Sequence, residues 1–211
     1  MKLYISPGSC SLSPHIALRE AGLDFELVRV NTREHTTEDG RDYYKINELG
    51  YVPALEIHPG EVLREGPAII QYIADLAPDS GLAPANGTLP RYRLQEWLSF
   101  LTTEIHKGFL PLFYPGKCGE YFAMTQAKMA HRFSWIDRQL AKTPYLMGEK
   151  FTIADGYLFA LIHWGKASWF TSVYHLEVDL TEMKHLENWY KKVLARPAVL
   201  AAVAAEGLTL S

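Results

Sequence analysis

Residues 2 to 30 read KLYISPGSCSLSPHIALREAGLDFELVRV, and this stretch decides the fold. Apolar and polar side chains alternate over residues 2 to 6, which is typical of a short strand. Ser13, followed by a proline, and Gly22 predict the two ends of a helix, because proline suits the first helical position and glycine stops a helix. Residues 24 to 30 are β-rich again. A strand, a helix and a strand over so short a stretch predict a parallel βαβ unit.

A hairpin and a second helix complete the first part of the chain. ALEIH at residues 54 to 58 and EVLRE at residues 61 to 65 flank a Pro-Gly turn and are predicted to pair as antiparallel strands. The polar connector before them is expected to hold a short helix near residues 43 to 46. The helix after the hairpin ends near Pro78. The order β-α-β and then β-β-α favours a thioredoxin-like layout, a small mixed sheet with helices on both faces.

Residues 77 to 90 are rich in proline and glycine, which breaks both helices and strands. We predict a linker at residues 81–89 between a domain at residues 1–80 and a domain at residues 90–211. Strand patterns vanish after the linker, so the second domain is predicted to be an all-α bundle. Its helices are expected at residues 91–113, 119–141, 153–169 and 182–195, with a short one after Pro197.

Composition excludes several classes of protein. The chain has 211 residues, 2 cysteines far apart and a formal net charge of −3. Two distant cysteines cannot form a disulfide framework, which favours a reducing compartment. The charge argues against a nucleic-acid binder, which would carry a basic face. The first residues lack the apolar core of a signal peptide, and the longest apolar run, residues 198 to 205, is shorter than the ~18 residues of a membrane span. We therefore expect a cytoplasmic protein with no nucleic-acid or membrane partner.

Charge is divided unevenly along the chain. Residues 1 to 80 carry 7 Lys and Arg against 13 Asp and Glu, a net charge of −6, whereas the remainder carries 14 against 11, a net charge of +3. This asymmetry favours two modules that meet across a subunit interface.

Cys10 lies between the first predicted strand and the first predicted helix, in the pattern Cys-x-x-Ser. A thiol has an ordinary pKa of about 8.5, and the positive end of a helix dipole favours the thiolate. Such a position can lower the pKa of the thiol, and it indicates a cysteine that acts as a nucleophile or directs another thiolate. The competing interpretation is a loop cysteine without a role.

Two further pairs of residues have surroundings suited to a peptide-like ligand. A cis bond between Val52 and Pro53 would leave the main chain of Val52 open to such a ligand, but cis bonds are uncommon, and the residues alone favour an ordinary trans proline. Glu65 and Gly66 open the second helix, where backbone N–H groups bind a carboxylate and Glu65 could receive an ammonium group. The alternative is that Glu65 merely caps the helix.

His106 lies on the first predicted helix of the second domain. An imidazole there would donate a hydrogen bond to a sulfur anion or transfer a proton near neutral pH, although most such histidines are packed or surface residues. The other histidines show no pair with metal-ligand spacing on one helix face, so we expect no metal site.

Two more patterns lie in the second domain. Thr152 and Asp155 form a Thr-x-x-Asp capping box ahead of an apolar run, and its loss should destabilise the fold by ~1 kcal/mol or more. Side chains at the end of the first helix and in that apolar run are expected to line a cleft for a hydrophobic substrate, although core packing explains the aromatic ones equally well. These side chains are Lys107, Phe109, Phe113 and Trp164.

The chain resembles the glutathione S-transferases, and within them the bacterial beta class, over essentially its whole length. Five stretches in register carry the resemblance. They are PGSCSLSPHIALREAGLDFE at residues 7 to 26, VPALE at 52 to 56, REGPAIIQYIADLAPD at 64 to 79, RYRLQEWLSFLTTEIHKGF at 91 to 109 and FTIADGYLF at 151 to 159. The resemblance implies a thioredoxin-like N-terminal domain, a helical C-terminal domain and a homodimer with active sites beside the interface.

The same resemblance implies glutathione as the co-substrate and assigns the site residues. Cys10 and His106 match the residues that face the glutathione sulfur, and Ser11 is a candidate auxiliary hydroxyl beside them. Val52, before a cis Pro53, matches the position that pairs with the cysteinyl main chain. The remaining matches are Glu65 and Gly66 for the γ-glutamyl end, and Thr103 and Glu104 in the segment that reaches glutathione from the neighbouring subunit.

Four positions depart from the family pattern: Tyr51 replaces a frequent glutamine, Gly66 a common serine and Ser99 a common asparagine, and His35 is the fourth. His35 stands where beta-class relatives usually carry a lysine for the glycyl carboxylate. A neutral imidazole binds a carboxylate less strongly than a lysine does, so we expect glutathione binding that is weaker and more pH-dependent.

The resemblance implies transfer of glutathione sulfur to hydrophobic electrophiles in detoxification, with Cys10 and His106 tuning the sulfur. A second enzymatic interpretation is glutathione-dependent peroxidase or monothiol disulfide-exchange activity, in which Cys10 attacks. The alternative from another class is a non-catalytic binder of hydrophobic ligands, or a stress-response scaffold that keeps the transferase fold.

Overall fold

The computed structural model describes residues 1–114, 116–166 and 182–208. The first part of the chain forms a five-stranded mixed sheet. Its elements are β1 Lys2–Ile5, α1 Leu12–Glu20, β2 Glu26–Asn31, β3 Thr36–Thr37, a 3-10 helix Tyr43–Lys45, β4 Ala54–His58, β5 Glu61–Arg64, α2 Gly66–Leu76 and a 3-10 helix Pro78–Ser80. The strand order is β3-β2-β1-β4-β5, in which β1 and β2 are parallel and the other neighbours are antiparallel.

This topology confirms the predicted thioredoxin-like βαβ-ββα layout. Two details differ from the prediction. The two-residue strand β3 was not predicted, because it is too short to show an alternating pattern. Helix α1 begins at Leu12, two residues before the predicted first position at Pro14.

The alternation of side chains along β1 divides the sheet into two buried faces. Leu3 and Ile5 share a core with the apolar side chains of α1 and α2. Tyr4 points to the opposite face and packs on Tyr43 of the 3-10 helix, with 5.7 Å between the ring centroids. The loop that leaves β1 at Ile5 carries Cys10 to the carboxyl edge of the parallel pair.

The second part of the chain is helical in the residues described. Its elements are α3 Leu89–Phe100, a π-helix Leu101–His106, a 3-10 helix Lys107–Phe113, α4 Glu120–Leu140, α5 Ile153–Lys166, α6 Lys184–Leu194 and α7 Pro197–Glu206. The single regular helix predicted over residues 91–113 is therefore wrong beyond Phe100. The end predicted at residue 169 for the α5 helix lies outside the described residues.

One continuous apolar core joins the two parts. It runs from Leu3 in β1 through α5 to Val203 in α7. Helix α5 lies at its centre, and all but two of its 14 residues are buried. The predicted domain limits, residues 1–80 and 90–211 with a linker at 81–89, stay a prediction, since the core does not divide at the linker.

The predicted capping box begins α5. The Asp155 Oδ2 atom accepts hydrogen bonds from the Thr152 backbone N–H at 2.9 Å and from its hydroxyl at 3.1 Å. The Oδ1 atom accepts from the Leu146 N–H at 2.9 Å and from the Trp189 indole N–H at 3.0 Å. Burial raises the pKa of this carboxyl above its ordinary value, against the effect of the hydrogen bonds. One side chain thus ties the start of α5 to the preceding loop and to α6.

We expect Asp155→Ala to lower the free energy of unfolding by about 3 kcal/mol or more, because buried N–H donors lose their acceptor. Urea denaturation followed by circular dichroism measures this change. Thr152→Ser is the matched control, since it keeps the hydroxyl and should cost less than about 1 kcal/mol. A loss for Asp155→Ala no larger than that of the control would contradict the assignment.

Candidate active site

A cleft opens where the sheet meets the helical part of the chain. Its lining comes from the loop after β1 (Cys10), the segment before β4 (Asn47, Leu49, Tyr51, Val52, Pro53), the junction of β5 and α2 (Arg64, Glu65, Gly66, Pro67) and the helical part (Thr102, His106, Lys107, Tyr157). Residues far apart in the sequence that were predicted to act together therefore share one cavity. The predicted members present in it are Cys10, Val52, Pro53, Glu65, Gly66, His106 and Lys107.

Cys10 lies two residues before α1, and its thiol donates to the Val52 carbonyl oxygen, 3.5 Å from Sγ. Burial raises the pKa of the Cys10 thiol to about 11, which exceeds the opposing effects of its own backbone N–H and of Lys107. Loss of water around the sulfur therefore outweighs the field of the helix N-terminus, which by itself would lower the pKa.

The structure contradicts the expectation that Ser11 acts beside the sulfur. Its buried Oγ accepts from the Ser6 N–H at 3.2 Å, donates to the Ser6 carbonyl at 3.2 Å and lies 2.8 Å from the Ser9 Oγ. These bonds use the whole hydrogen-bonding capacity of a hydroxyl. Ser11 therefore closes the loop that carries Cys10, and Glu206 of α7 holds the same loop by accepting from the Gly8 N–H at 2.8 Å.

The peptide bond between Val52 and Pro53 is cis. The trans bond favoured by the residues alone is therefore wrong, and the cis bond implied by the resemblance is confirmed. Val52 precedes the first paired residue of β4, Ala54, so its main chain lies outside the ladder with β1. Its carbonyl faces the Cys10 thiol at the floor of the cleft.

Glu65 has a φ of 67°, in the left-handed region that residues with a Cβ rarely occupy. Such a backbone costs roughly 1 to 3 kcal/mol and recurs at binding sites. Glu65 occupies the N-cap position of α2, but its side chain makes no capping hydrogen bond to the helix. Glu65 and Gly66 line the cleft instead, at the N-terminus of α2.

His106 is bonded to a residue of α5. Its Nδ1 lies 2.7 Å from the hydroxyl oxygen of Tyr157, and its ring meets Trp164 edge to face at 5.7 Å. Burial lowers the pKa of His106 to about 4, and Lys107 acts in the same direction. Burial raises the pKa of Tyr157, so the phenol keeps its proton. With Tyr157 as the donor to Nδ1, the neutral imidazole carries its own proton on Nε2.

An irregular stretch of helix brings His106 and Lys107 into the cleft. The π-helix Leu101–His106 bonds each residue to the fifth one along and so rotates the residues after it, relative to a regular α-helix. Pro111 lies in the 3-10 helix that comes next and cannot donate to a regular ladder. Gly108 lies against the Met129 sulfur of α4, where a Cβ would collide. The two cleft residues sit at the boundary of these two irregular helices.

His35, the candidate for the glycyl carboxylate, is absent from the described lining of the cleft. Its ring stacks on Tyr44 with 4.4 Å between the centroids, and its buried Nδ1 has no hydrogen-bond partner among the described residues. The φ of His35 is 53°, and a Cβ at Gly50 would collide with the ring. The ring is thus packed into the connector before β4.

Thr103 and Glu104 also lie outside the cleft of their own chain. Thr103 lines a shallow groove between α2 and α3 that Glu65 borders. The Glu104 carboxylate accepts from Arg132 at 2.9 Å and lies 3.1 Å from the Lys128 Nζ, and these bonds lower its pKa. Their action on glutathione in a neighbouring subunit stays a prediction.

The predicted hydrophobic wall is only partly present. Lys107 lines the cleft, and Trp164 lies beside His106. Phe109 is 1% exposed and packs 5.5 Å from Trp164, so it is a core residue behind the cleft and the prediction that it lines the cleft is wrong. The side chain of Phe113 lies outside the part of the chain that the structure describes.

Seven residues that line the cleft were not predicted as site residues: Asn47, Leu49, Tyr51, Arg64, Pro67, Thr102 and Tyr157. Tyr157 lies in the apolar run after the capping box, where the pattern indicates core packing and nothing marks a functional hydroxyl. Arg64 directly precedes the predicted pair Glu65-Gly66, and a charged residue beside a predicted site is a signal that could have identified it.

Within residues 1–114, 116–166 and 182–208, no cluster of three or more His, Cys, Asp or Glu is arranged to hold a metal ion. No helix in these ranges combines the length and hydropathy that a membrane span requires.

The chain is similar to known proteins of one family. The family model for the glutathione S-transferase N-terminal domain matches residues 1–75, and the model for the C-terminal domain matches residues 100–197. Glutathione S-transferase GstA of Escherichia coli O157:H7 is 39% identical over 208 residues, which cover 99% of this chain and 100% of that protein.

Solved structures agree with this match. A sphingomonad glutathione S-transferase complexed with glutathione is 45% identical, with a TM-score of 0.89 over 99% of this chain and 100% of that one. A beta class glutathione S-transferase of Sphingomonas chungbukensis is 42% identical, with a TM-score of 0.89 and the same coverage. The chain therefore belongs to the glutathione S-transferase family, as its resemblance to the bacterial beta class predicted.

Proposed function

We propose that this transferase binds glutathione in the cleft and joins it, through its sulfur, to hydrophobic electrophiles. The observation that carries the proposal is the presence of two neutral hydrogen-bond donors, the Cys10 thiol and the His106 imidazole, in one cleft. Donors that face a thiolate stabilise it and lower the pKa of the parent thiol. The glutathione bound in the sphingomonad relative supports the choice of ligand.

The cleft offers a partner to each end of the tripeptide. The γ-glutamyl carboxylate meets the Gly66 N–H at the start of α2, and its ammonium group meets the Glu65 carboxylate. The cysteinyl main chain lies along Val52, outside the sheet ladder. This pose puts the glutathione sulfur next to the Cys10 thiol, which lies 3.5 Å from the Val52 carbonyl in the free protein.

The reaction then needs no covalent bond to the protein. The glutathione thiol loses its proton to water, because His106, with a pKa of about 4, is a poor base at neutral pH. The Cys10 thiol, the His106 Nε2–H and the charge of Lys107 stabilise the thiolate. Its sulfur forms a bond to the electrophilic carbon, and the leaving group departs with the bonding electron pair.

The alternatives have less support. A nucleophilic Cys10, as peroxidase or disulfide-exchange activity requires, would have to act from a thiol whose pKa is about 11. A non-catalytic binder or scaffold has less support, since the two relatives that this chain matches over their whole length, GstA and GST-4.5, are named as transferases.

We further propose that the chain works in the cytoplasm as a homodimer that detoxifies electrophiles. Exposed apolar side chains beside the cleft support a covered surface, among them Leu49 and the 72% exposed Tyr51. Thr103 and Glu65 border a shared groove, which fits a neighbouring subunit close to the γ-glutamyl end.

Cys10→Ala should keep measurable conjugation of an aryl halide such as chlorodinitrobenzene. We expect kcat/KM to fall about tenfold, the effect of one lost hydrogen bond of about 1.5 kcal/mol to the glutathione thiolate. Cys118→Ala, which changes the chain's other cysteine, is the matched control. A loss of several orders of magnitude in Cys10→Ala, together with efficient disulfide reduction by the wild type, would indicate that Cys10 attacks.

Tyr157→Phe should raise the pKa of the bound glutathione thiol by about 0.7 unit, because the imidazole loses the donor that keeps its own proton on Nε2. Thiolate absorbance of the complex, recorded across pH, measures the shift. The change should vanish when His106 is already alanine. An equal shift in that background would mean that Tyr157 acts independently of His106.

Sedimentation velocity should show a dimer whose dissociation constant rises with salt, since the two parts of the chain carry charges of −6 and +3. A monomer at every salt concentration would refute the homodimer, and a dimer indifferent to salt would refute its electrostatic origin.

A further inference from the structure

We propose that Arg64, fixed by the buried amide of Asn47, binds the glycyl carboxylate of glutathione in this chain. The inference rests on the proposed function, because it takes glutathione as the ligand of the cleft. It assigns a specificity-determining role to a cation that the resemblance to the family did not identify.

The geometry holds the guanidinium in place before any ligand arrives. Arg64 Nε donates to the Asn47 Oδ1 at 3.0 Å. Asn47 is only 2% exposed, and its Nδ2 donates to the Tyr51 carbonyl oxygen at 2.7 Å. Its Oδ1 also accepts from the Leu49 N–H at 3.3 Å. A side chain ordered in this way loses less conformational entropy when it binds an anion.

The terminal N–H groups of the Arg64 guanidinium remain available to a ligand. Among the described residues, the acid paired with it is Glu48, whose Oε1 lies 3.9 Å from the Arg64 Nη2 and whose side chain is 80% exposed. That distance is too long for a hydrogen bond, and an exposed pair of this kind contributes little. Arginine binds carboxylates through two parallel N–H groups, which suits the end of a peptide.

The position of Arg64 indicates that it binds the glycyl carboxylate of glutathione and not the γ-glutamyl one. Glutathione has two carboxylates, and the γ-glutamyl one is taken by the N-terminus of α2 at Gly66. The cysteinyl residue lies along Val52. Arg64 is tied to Asn47, and Asn47 to Tyr51, so the guanidinium is anchored on the side of Val52 from which Leu49 and Tyr51 line the cleft. A tripeptide that extends past Val52 brings its glycine to this side.

His35 stands at the position that binds this carboxylate in beta-class relatives, but its side chain is packed outside the cleft. Its ring stacks on Tyr44 and does not belong to the described lining of the cleft, whereas Arg64 does. An arginine keeps its charge in the pH range where a histidine loses it. We therefore expect that the affinity for glutathione does not fall as the pH rises through this range.

The test compares glutathione with its glycyl ethyl ester, which lacks the carboxylate charge, by isothermal titration calorimetry at pH 7. The wild type should bind glutathione about 10- to 100-fold more tightly than the ester. Arg64→Met, which keeps the aliphatic stem, should bind the two ligands equally, near the affinity of the wild type for the ester. Arg64→Lys should show an intermediate ratio, and His35→Ala should keep the ratio of the wild type.

The ratio of two affinities in one protein does not depend on the folded fraction, so a loss of stability in a variant cannot imitate the result. Retention of the full ratio by Arg64→Met, or its loss in His35→Ala, would overturn the inference. A wild type that binds glutathione and its ester equally well would overturn it without affecting the proposed function. A wild type that binds neither would overturn both.

Discussion

The carboxylate of Asp155 is the interaction on which the rest of the structure depends. It accepts hydrogen bonds from Thr152, Leu146 and Trp189, and so starts α5 in a place that water does not reach. Helix α5 is the centre of a core that extends from β1 to α7. Two residues after Asp155, the same helix carries Tyr157 to His106. This capping interaction therefore fixes the start of the helix that lies between the two parts and carries a cleft residue.

Burial shifts the pKa values of Cys10 and His106 in opposite directions, and both shifts favour the neutral form of the group. It raises the pKa of the Cys10 thiol to about 11 and lowers the pKa of His106 to about 4, so each group is neutral at pH 7. Neutral donors stabilise a thiolate without competing with it for a proton. Desolvation explains why a cysteine at a helix N-terminus has a raised pKa. The loop that holds it is closed by Ser11 and by Glu206, far from it in sequence.

Sequence reasoning succeeded where local patterns decide the structure. The alternation at β1, the hairpin of β4 and β5, and the Thr-x-x-Asp box each lie within a few residues, and the structure has all of them. It failed at the end of α3, because the transition to a π-helix and a 3-10 helix depends on contacts such as that of Gly108 with Met129 of α4. It also failed for Phe109, which has the pattern of a cleft residue but lies in the core.

By itself, then, the sequence determined the thioredoxin-like order of elements, the helical second part and the place of Cys10 before α1. Through its resemblance to a family it also identified Cys10, Val52, Pro53, Glu65, Gly66 and His106 in the cleft. Only the tertiary structure decided the direction of the pKa shift of Cys10, the inward orientation of Ser11, the packing of His35 away from the cleft and the entry of Arg64 and Tyr157 into it. The physical reason is that helix fields, caps and turns act between neighbours in the chain. Desolvation and hydrogen-bond partnership depend on which distant residues surround a group, and no local pattern records them.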